Sequence, residues 1–286
     1  DVHCRIKGPA AHDLLRIFRE RWDDHPDHTA LDRAKGALRG TGERVPAAAG
    51  GMSVQVARTY GNGTRHAGIG KGGYRFAPRG ERAIWCQVLR AIEQARRFIY
   101  IEDQYLVSME ASRALQAALP NIQHLTILIP HGSITDMPQV NFRRQQFIAP
   151  LRAAGGSKVR VFFLSPAGAA NTYIHAKTWM IDDEYAIIGS ANCNRRGYTH
   201  DSEVTAGIFD PAGRALAKQL RVALWARHLN MDTASGRRAL EDGVASARFW
   251  LSPPSGARVA PYNENADIER LHSNATWNQV IDPDGS

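Results

Sequence analysis

The sequence predicts an α/β protein in which helices cover both faces of a mixed β-sheet, giving a layered α-β-α sandwich. The main observation is that apolar positions of helical spacing alternate with short apolar runs of strand length from residue 81 onward. Such alternation is typical of a sheet layered with helices. A second observation is the composition, since 43% hydrophobic and 22% charged residues are close to the average of globular proteins. The 286 residues suffice for one large domain or two small ones.

The first 80 residues contain one clear helix and two stretches rich in glycine. Residues 8–22 are predicted to be helical because apolar side chains recur on one helical face. Residues 23–52 and 61–80 hold glycine at many positions, which predicts loops or linkers. A short strand is expected between them, near residues 54–58.

The remaining elements follow from apolar spacing and from the residues that end helices. Ile84, Val88 and Ile92 recur at intervals of four, which is typical of an amphipathic helix. We expect helices near 84–95, 109–119, 138–154 and 211–228, and strands near 98–101, 124–129, 159–164, 173–181, 185–189 and 203–209. The polar residues 232–286 predict a loosely packed tail with at most one short helix.

The charge balance indicates an anionic partner. Lysine and arginine total 36 against 28 acidic residues, a formal net charge of +8, and only six of the basic residues are lysine. Arginine binds phosphate and carboxylate groups through its planar fork, so nucleic acid, an anionic membrane surface or a phosphate substrate would fit. A general bias of the genome toward arginine explains the charge equally well. The three cysteines are far apart, which argues against a disulfide scaffold and a structural zinc site.

The segment 173–203 carries the strongest chemical signal. Alternate side chains of a strand share one face, so His175, Lys177 and Trp179 are expected on the same side, with His175 and Lys177 about 7 Å apart. An ammonium group can neutralise a phosphate oxygen, and an imidazole can attack phosphorus or deliver a proton. A carboxylate would orient the histidine, and the segment offers three: Glu203, Asp201 and Asp182.

This pattern resembles the phospholipase D superfamily. The resemblance is carried by H-x-K-x4-D at His175, Lys177 and Asp182, followed by Gly-Ser-Ala-Asn at 189–192. It implies that His175 is catalytic, that Lys177 binds phosphate and that Glu203 orients the histidine. Asp182 completes the predicted catalytic set, although it looks more structural than catalytic.

Four further side chains are expected to bind substrate: Ser190, Asn192, Trp179 and Gln104. Ser190 and Asn192 match the polar residues that follow the motif. Trp179 shares the face of His175, where it either lines the pocket or packs in the core. Gln104 lies in the stretch 98–106, which is similar to the sequence IYIENQYF of eukaryotic-type phospholipases D, with Asp103 where that family usually has asparagine.

One part of the family pattern is missing. The resemblance implies two facing motifs, one histidine as nucleophile and the other as acid and base, yet only His175 has lysine two positions on. Residues 1–22 are similar to the segment that follows the first motif of two-motif members. We therefore expect residues 1–80 to be a remnant of a first lobe with a flexible linker, 81–231 to be the second lobe, and 232–286 to be a tail. A homodimer that pairs two copies of His175 is the alternative.

The resemblance implies hydrolysis or head-group exchange of glycerophospholipids through a phosphohistidine intermediate. No cofactor or metal is expected, because lysine and asparagine donors serve in its place. The expected partners are a phospholipid at a membrane surface and the missing half or a second subunit, with no nucleic acid. The protein would contact membranes peripherally, either in the cytoplasm or after export. The alternatives are a nuclease or a cardiolipin-synthase-like transferase of the same superfamily, and a catalytically incomplete lipid-binding fragment.

Overall fold

The structure is built on a nine-stranded sheet. These strands belong to the described residues, which are 1–25, 44–61, 73–134, 140–210 and 216–262 of this computed structural model. The strands are β1 (Ser53–Tyr60), β2 (Glu81–Arg82), β3 (Phe98–Asp103), β4 (His124–Leu128), β5 (Val159–Leu164), β6 (Lys177–Ile181), β7 (Tyr185–Gly189), β8 (Glu203–Phe209) and β9 (Val259–Pro261). They are arranged in the order β2-β1-β8-β7-β6-β3-β4-β5-β9.

The sheet is mixed, as predicted. Strands β3, β4 and β5 run parallel to one another, and every other neighbouring pair is antiparallel. Every residue of β3 and β4 is buried, which explains why their sequences are short, nearly continuous apolar runs. Strand β6 lies between the parallel and antiparallel halves, with Lys177 directly opposite Asp103 of β3.

Helices cover both faces of the sheet. They are α1 (Pro9–Asp24), α2 (Ala83–Gln94), α3 (Met109–Ala118), α4 (Val140–Gly155), α5 (Arg195–Thr199), α6 (Leu216–His228), α7 (Ala234–Ala239) and α8 (Arg248–Leu251). None of those described combines the length and apolar character that crossing a bilayer requires.

The two largest hydrophobic clusters of the described residues lie on opposite faces of the sheet. Ile99 and Ile101 of β3 point to the core beneath α2, α3 and α4, whereas Tyr100 points to the core beneath α6. This alternation is the period of two that a strand imposes on its side chains. The predicted α-β-α sandwich is confirmed.

Two segments differ from the predicted organisation. Strand β1 pairs along its length with β8, so the sheet extends across the boundary expected at residue 81. Residues 232–262 are not a loose tail, because Leu240 and Trp250 are fully buried beneath the sheet and β9 pairs with β5. The expectation of loose packing is therefore wrong as far as residue 262, since a few large apolar side chains anchor an otherwise polar segment. Residues 263–286 lie outside the described part of the chain.

Candidate active site

His175 and Lys177 lie together at the start of strand β6. Lys177 is the first residue of the strand, which therefore begins later than the predicted residue 173. The alternation of faces nevertheless extends upstream, because Ile174 and Met180 pack into the core beneath α6. His175 and Lys177 both line one cavity of about 460 Å³. Their shared position at the cavity agrees with the common opening that the sequence predicts.

Hydrogen bonds to Gln104 and to the backbone of His175 hold the ammonium group of Lys177. The residue is only 7% exposed. Its Nζ donates to Oε1 of Gln104 at 2.7 Å and to the backbone oxygen of His175 at 2.8 Å. Burying a charge is costly unless hydrogen bonds compensate, so these acceptors both stabilise the ammonium and fix its position. The charge lies at the cavity wall, where an anionic group of a substrate would meet it.

Gln104 connects the lysine to the histidine. Its Nε2 donates to the hydroxyl of Tyr173 at 2.7 Å, and the Tyr173 ring is stacked against the His175 ring with centroids 6.2 Å apart. The sequence predicted Gln104 as a substrate-binding residue. The structure shows that both ends of its amide contact side chains of the site, which gives it a supporting part in that site.

The His175 side chain is exposed at the site. Its exposed fraction is 55%, and Nδ1 lies 3.3 Å from Oδ2 of Asp1. Asp1, rather than the predicted Glu203, is thus the carboxylate at Nδ1 in this structure. The ring is exposed enough to reach a molecule in the cavity, which a general acid or base requires.

Glu203 precedes Val204, a residue of strand β8 that lines the cavity. Glu203 is the first residue of the strand, and its carboxylate accepts a hydrogen bond from the hydroxyl of Ser190. Burial raises the pKa of Glu203, while the Ser190 hydrogen bond and the positive charge of Lys177 oppose that rise. Ser190 itself lines the cavity, as predicted for a group that contacts phosphate.

The turn after β7 is held close to the neighbouring strand. A Cβ atom on Gly189 would lie 2.4 Å from the backbone oxygen of Val204, so only glycine allows this approach. Further along the turn, the side-chain oxygen of Asn192 is buried and has no hydrogen-bond partner among the described residues. Of these two predicted substrate-binding residues, Ser190 lines the cavity and Asn192 does not.

Asp182 does not join the other predicted catalytic residues. It follows the far end of β6 in a tight turn at φ 57°, and its carboxylate accepts three backbone N–H groups. These are the amides of Arg96, Arg97 and Phe98, at 2.7, 2.8 and 2.7 Å. The motif spacing explains the separation, because the strand carries the chain away from Lys177. Asp182 anchors the start of β3, in line with the structural role that the sequence favoured.

Trp179 is not a wall of the cavity. It is 2% exposed and packs in the core beneath α2, α3 and α4. It shares the face of Lys177, as predicted, but two residues further along the strand that face is already covered by helices. The substrate-binding role predicted for Trp179 is therefore corrected to core packing.

Sequence reasoning missed Arg144, which supports the site from helix α4. Arg144 is fully buried. Its guanidinium donates to the backbone oxygens of Tyr105 at 2.8 Å and Pro130 at 3.1 Å, and also to that of Gln104. One signal was present in the sequence, because Arg144 falls on the same helical face as the buried residues Val140, Phe147, Ile148 and Leu151.

Comparisons with known proteins identify families and relatives that this chain is similar to. A family model described as "Cardiolipin synthase, PLD-like domain" matches residues 88–227, and one described as "Phospholipase D" matches residues 1–131. A cardiolipin synthase of Staphylococcus aureus is 33% identical over 231 residues, covering 78% of this chain and 38% of that protein. Phospholipase D alpha 3 of Arabidopsis thaliana is 24% identical, covering 82% of this chain and 40% of that protein. The chain thus spans about 40% of the length of these relatives.

A solved structure shares the fold. The phosphatidylserine synthase of Haemophilus influenzae matches with a TM-score of 0.52 at 14% identity, over 86% of this chain and 61% of that one. The two family models together extend from residue 1 to residue 227, and the histidine and lysine of the motif open onto one cavity. The chain belongs to the phospholipase D superfamily.

Proposed function

We propose that this chain supplies one half of a phosphodiesterase site for glycerophospholipids. The observation that carries the proposal is that His175 and Lys177 open onto one cavity, with the lysine ammonium fixed by Gln104. Lys177 would bind the non-bridging oxygens of the phosphodiester and stabilise the negative charge that develops there. Ser190 would donate a further hydrogen bond at the cavity edge.

His175 would act as the acid and then the base. In the first step a second histidine attacks phosphorus, a nitrogen–phosphorus bond forms, and the bond to the head-group oxygen breaks. His175 gives its proton to that oxygen. In the second step His175 takes a proton from water or from an alcohol, whose oxygen attacks phosphorus and releases the histidine. The products are the head-group alcohol and either phosphatidate or a new phosphatidyl ester.

The second histidine is proposed to come from outside these 286 residues. Only His175 has lysine two positions further along the sequence. Either a further lobe or a second copy of this chain would supply the partner motif. If a second copy supplies the motif, the activity per protein molecule would rise with protein concentration, because the complete site would form only on association.

Transfer of a phosphatidyl group to an alcohol is the second candidate reaction. Cardiolipin synthases at 31–33% identity and the family model over residues 88–227 favour it over simple hydrolysis. The two reactions share every step up to the intermediate and differ in the acceptor. Exclusion of water from the cavity would then decide the product.

Lipid vesicles and site variants test the proposal. Phosphatidylglycerol and phosphatidylcholine vesicles are incubated with the protein, with and without added glycerol, and the lipid products are identified by mass spectrometry. We expect His175→Ala and Lys177→Ala to lower turnover by about a hundredfold to a thousandfold. Lys218→Ala, which changes a lysine of helix α6 that pairs with Glu241, is the matched control and should leave turnover unchanged.

Three outcomes would count against parts of the proposal. Wild-type turnover in the His175 or Lys177 variant would refute the site. Cleavage of plasmid DNA without lipid turnover would favour a nuclease. If the chain gives no turnover, binding of a short-chain phosphatidylglycerol is measured by calorimetry. Binding that Lys177→Ala weakens about tenfold or more supports an incomplete site, and binding that this variant leaves unchanged refutes the role of the lysine.

A further inference from the structure

Asp103 is a fully buried carboxylate directly behind the candidate site. It is the last residue of β3 and is 0% exposed. Its Oδ1 accepts the backbone N–H groups of Tyr105 and Leu106, both at 2.8 Å, and its Oδ2 accepts that of Cys193 at 3.0 Å. A carboxylate without water is costly unless donors surround it, and here backbone amides supply three.

These donors belong to two different turns, both of which carry residues of the site. Tyr105 and Leu106 follow Gln104, the acceptor for the Lys177 ammonium. Cys193 follows Asn192 in the turn that also carries Ser190. The backbone oxygen of Cys193 in turn accepts the amides of Val107 and Ser108, at 2.8 and 3.0 Å. One carboxylate therefore joins the turn after β3 to the turn after β7.

The turn after β3 depends on this contact. Leu106 has φ 55°, in the left-handed region where a side chain other than glycine is unfavourable. Its amide is one of the two that Oδ1 of Asp103 accepts. The hydrogen bond thus stabilises a backbone conformation that would otherwise relax, and Gln104 would move with it.

Asp103 also places a negative charge beside the lysine. The two residues are directly opposite each other in the pairing of β3 with β6, a position where side chains on one face are in contact. Burial raises the pKa of Asp103, while its three backbone hydrogen bonds and the positive charge of Lys177 oppose that rise. Attraction between the two groups favours the charged form of each.

We infer that Asp103 is a positioning residue for the reaction proposed above. It fixes Gln104 and the turn of Ser190 relative to one another, and its negative charge lies opposite Lys177, which it holds in place to receive a phosphodiester. Asparagine, which eukaryotic-type phospholipases D usually have at this position, would keep one acceptor oxygen, but its NH2 group could not accept the amide that the second carboxylate oxygen accepts in this chain.

The lysine side chains report this role directly by NMR. Only six lysines are present, so protein with 13C-labelled lysine gives few signals, and Lys177→Arg assigns the one from residue 177. In Asp103→Asn we expect the midpoint of the Lys177 NMR titration to move to lower pH by about one unit. The matched control is Asp183→Asn, which changes another buried carboxylate. Asp183 lies after the far end of β6, where it pairs with Arg221. This control variant should leave the Lys177 titration unchanged.

The inference would be overturned if the Lys177 NMR titration had the same midpoint in the wild type and in folded Asp103→Asn. If that variant does not fold, the wild-type protein is titrated instead. Protonation of Asp103 should then shift the amide signals of Tyr105, Leu106 and Cys193 together with the Lys177 signal, and a Lys177 signal that does not respond would overturn it.

The inference rests on the proposed function only for its effect on turnover. If the wild type turns over phospholipid, Asp103→Asn should lower that turnover about tenfold or more. Wild-type turnover in the folded variant would contradict the positioning role. Absence of turnover in the wild type would count against the proposed function alone, because the lysine titration does not depend on activity.

Discussion

The two motif residues occupy opposite environments although only one residue separates them. The His175 ring is largely exposed, whereas the Lys177 ammonium is buried and donates to Gln104 and to the His175 carbonyl. An exposed imidazole is free to exchange protons with a substrate, and a fixed ammonium is ready to stabilise charge without rearranging. The single residue between them, Ala176, is buried in the core beneath α6 and holds the pair at the start of strand β6.

Gln104→Leu tests how far the lysine depends on its acceptor. The variant removes the oxygen that Lys177 Nζ donates to and the N–H group that Tyr173 accepts. We expect turnover to fall about tenfold or more, because a hydrogen bond to a charged group contributes about 1.5–3 kcal/mol. The control is Gln116→Leu on helix α3, whose amide donates within its own helix. Equal turnover in the two variants would contradict the role of Gln104.

At the scale of elements, strands β3 and β6 bring the site together. The turn after β3 supplies Gln104 and the start of β6 supplies Lys177, because the two strands are antiparallel neighbours. The opposite ends of these strands meet where Asp182 accepts the amides of Arg96, Arg97 and Phe98. The same strand pair is thus fixed at one end by Asp182 and at the other by Asp103.

A buried histidine makes the attachment of β4 dependent on pH. His124 contacts Thr126 through Nδ1 and the Gly243 carbonyl through Nε2, both at 3.0 Å. Burial lowers the pKa of His124 to about 4, against an ordinary value of 6.5. Because the folded-state pKa is depressed, the stability from the neutral ring is complete above pH 6.5. It is lost as the pH falls toward 4.

We expect this histidine to contribute about 3 kcal/mol to the pH dependence of stability across that window. Urea denaturation at a series of pH values measures the free energy of unfolding of the wild type and of His124→Gln. The difference between the two should shrink as the pH falls from 6.5 to 4. A difference that stays constant across the series would show that His124 does not titrate in this window.

For the whole molecule, the C-terminal segment completes the core beneath α6. Trp250 is fully buried and packs against Tyr100 of β3, Phe162 of β5 and Trp225 of α6, with ring centroids 5.1–5.8 Å apart. The segment therefore packs on the sheet that carries the site, although the sequence after residue 232 is mostly polar.

Replacing Trp250 by alanine should destabilise the whole molecule. Removal of a fully buried aromatic side chain leaves a cavity and costs about 3–5 kcal/mol of unfolding free energy. Its neighbour Leu251 is 57% exposed, so Leu251→Ala should cost less than about 0.5 kcal/mol. Chemical denaturation compares the two variants, and similar losses would mean that the segment does not pack as the structure shows.

By itself the sequence determined the α/β class, the order of most helices and strands, and the pairing of His175 with Lys177 on one side of a strand. Each of these follows from local periodicity, which the chain displays within a few residues. The motif spacing was likewise enough to identify the family. The structural role expected for Asp182 came from the same pattern.

The tertiary structure alone decided which buried polar groups support the site. Asp103 contacts Cys193, Gln104 contacts both Tyr173 and Lys177, and Arg144 donates to the turn after β3. It also decided that Trp179 packs in the core and that residues 232–262 close one face of the sheet. These contacts join residues far apart in the chain, and local periodicity carries no information about which distant segments meet. Because these polar groups are buried, each would be costly if it were unpaired. The fold therefore supplies partners that the local sequence pattern does not indicate.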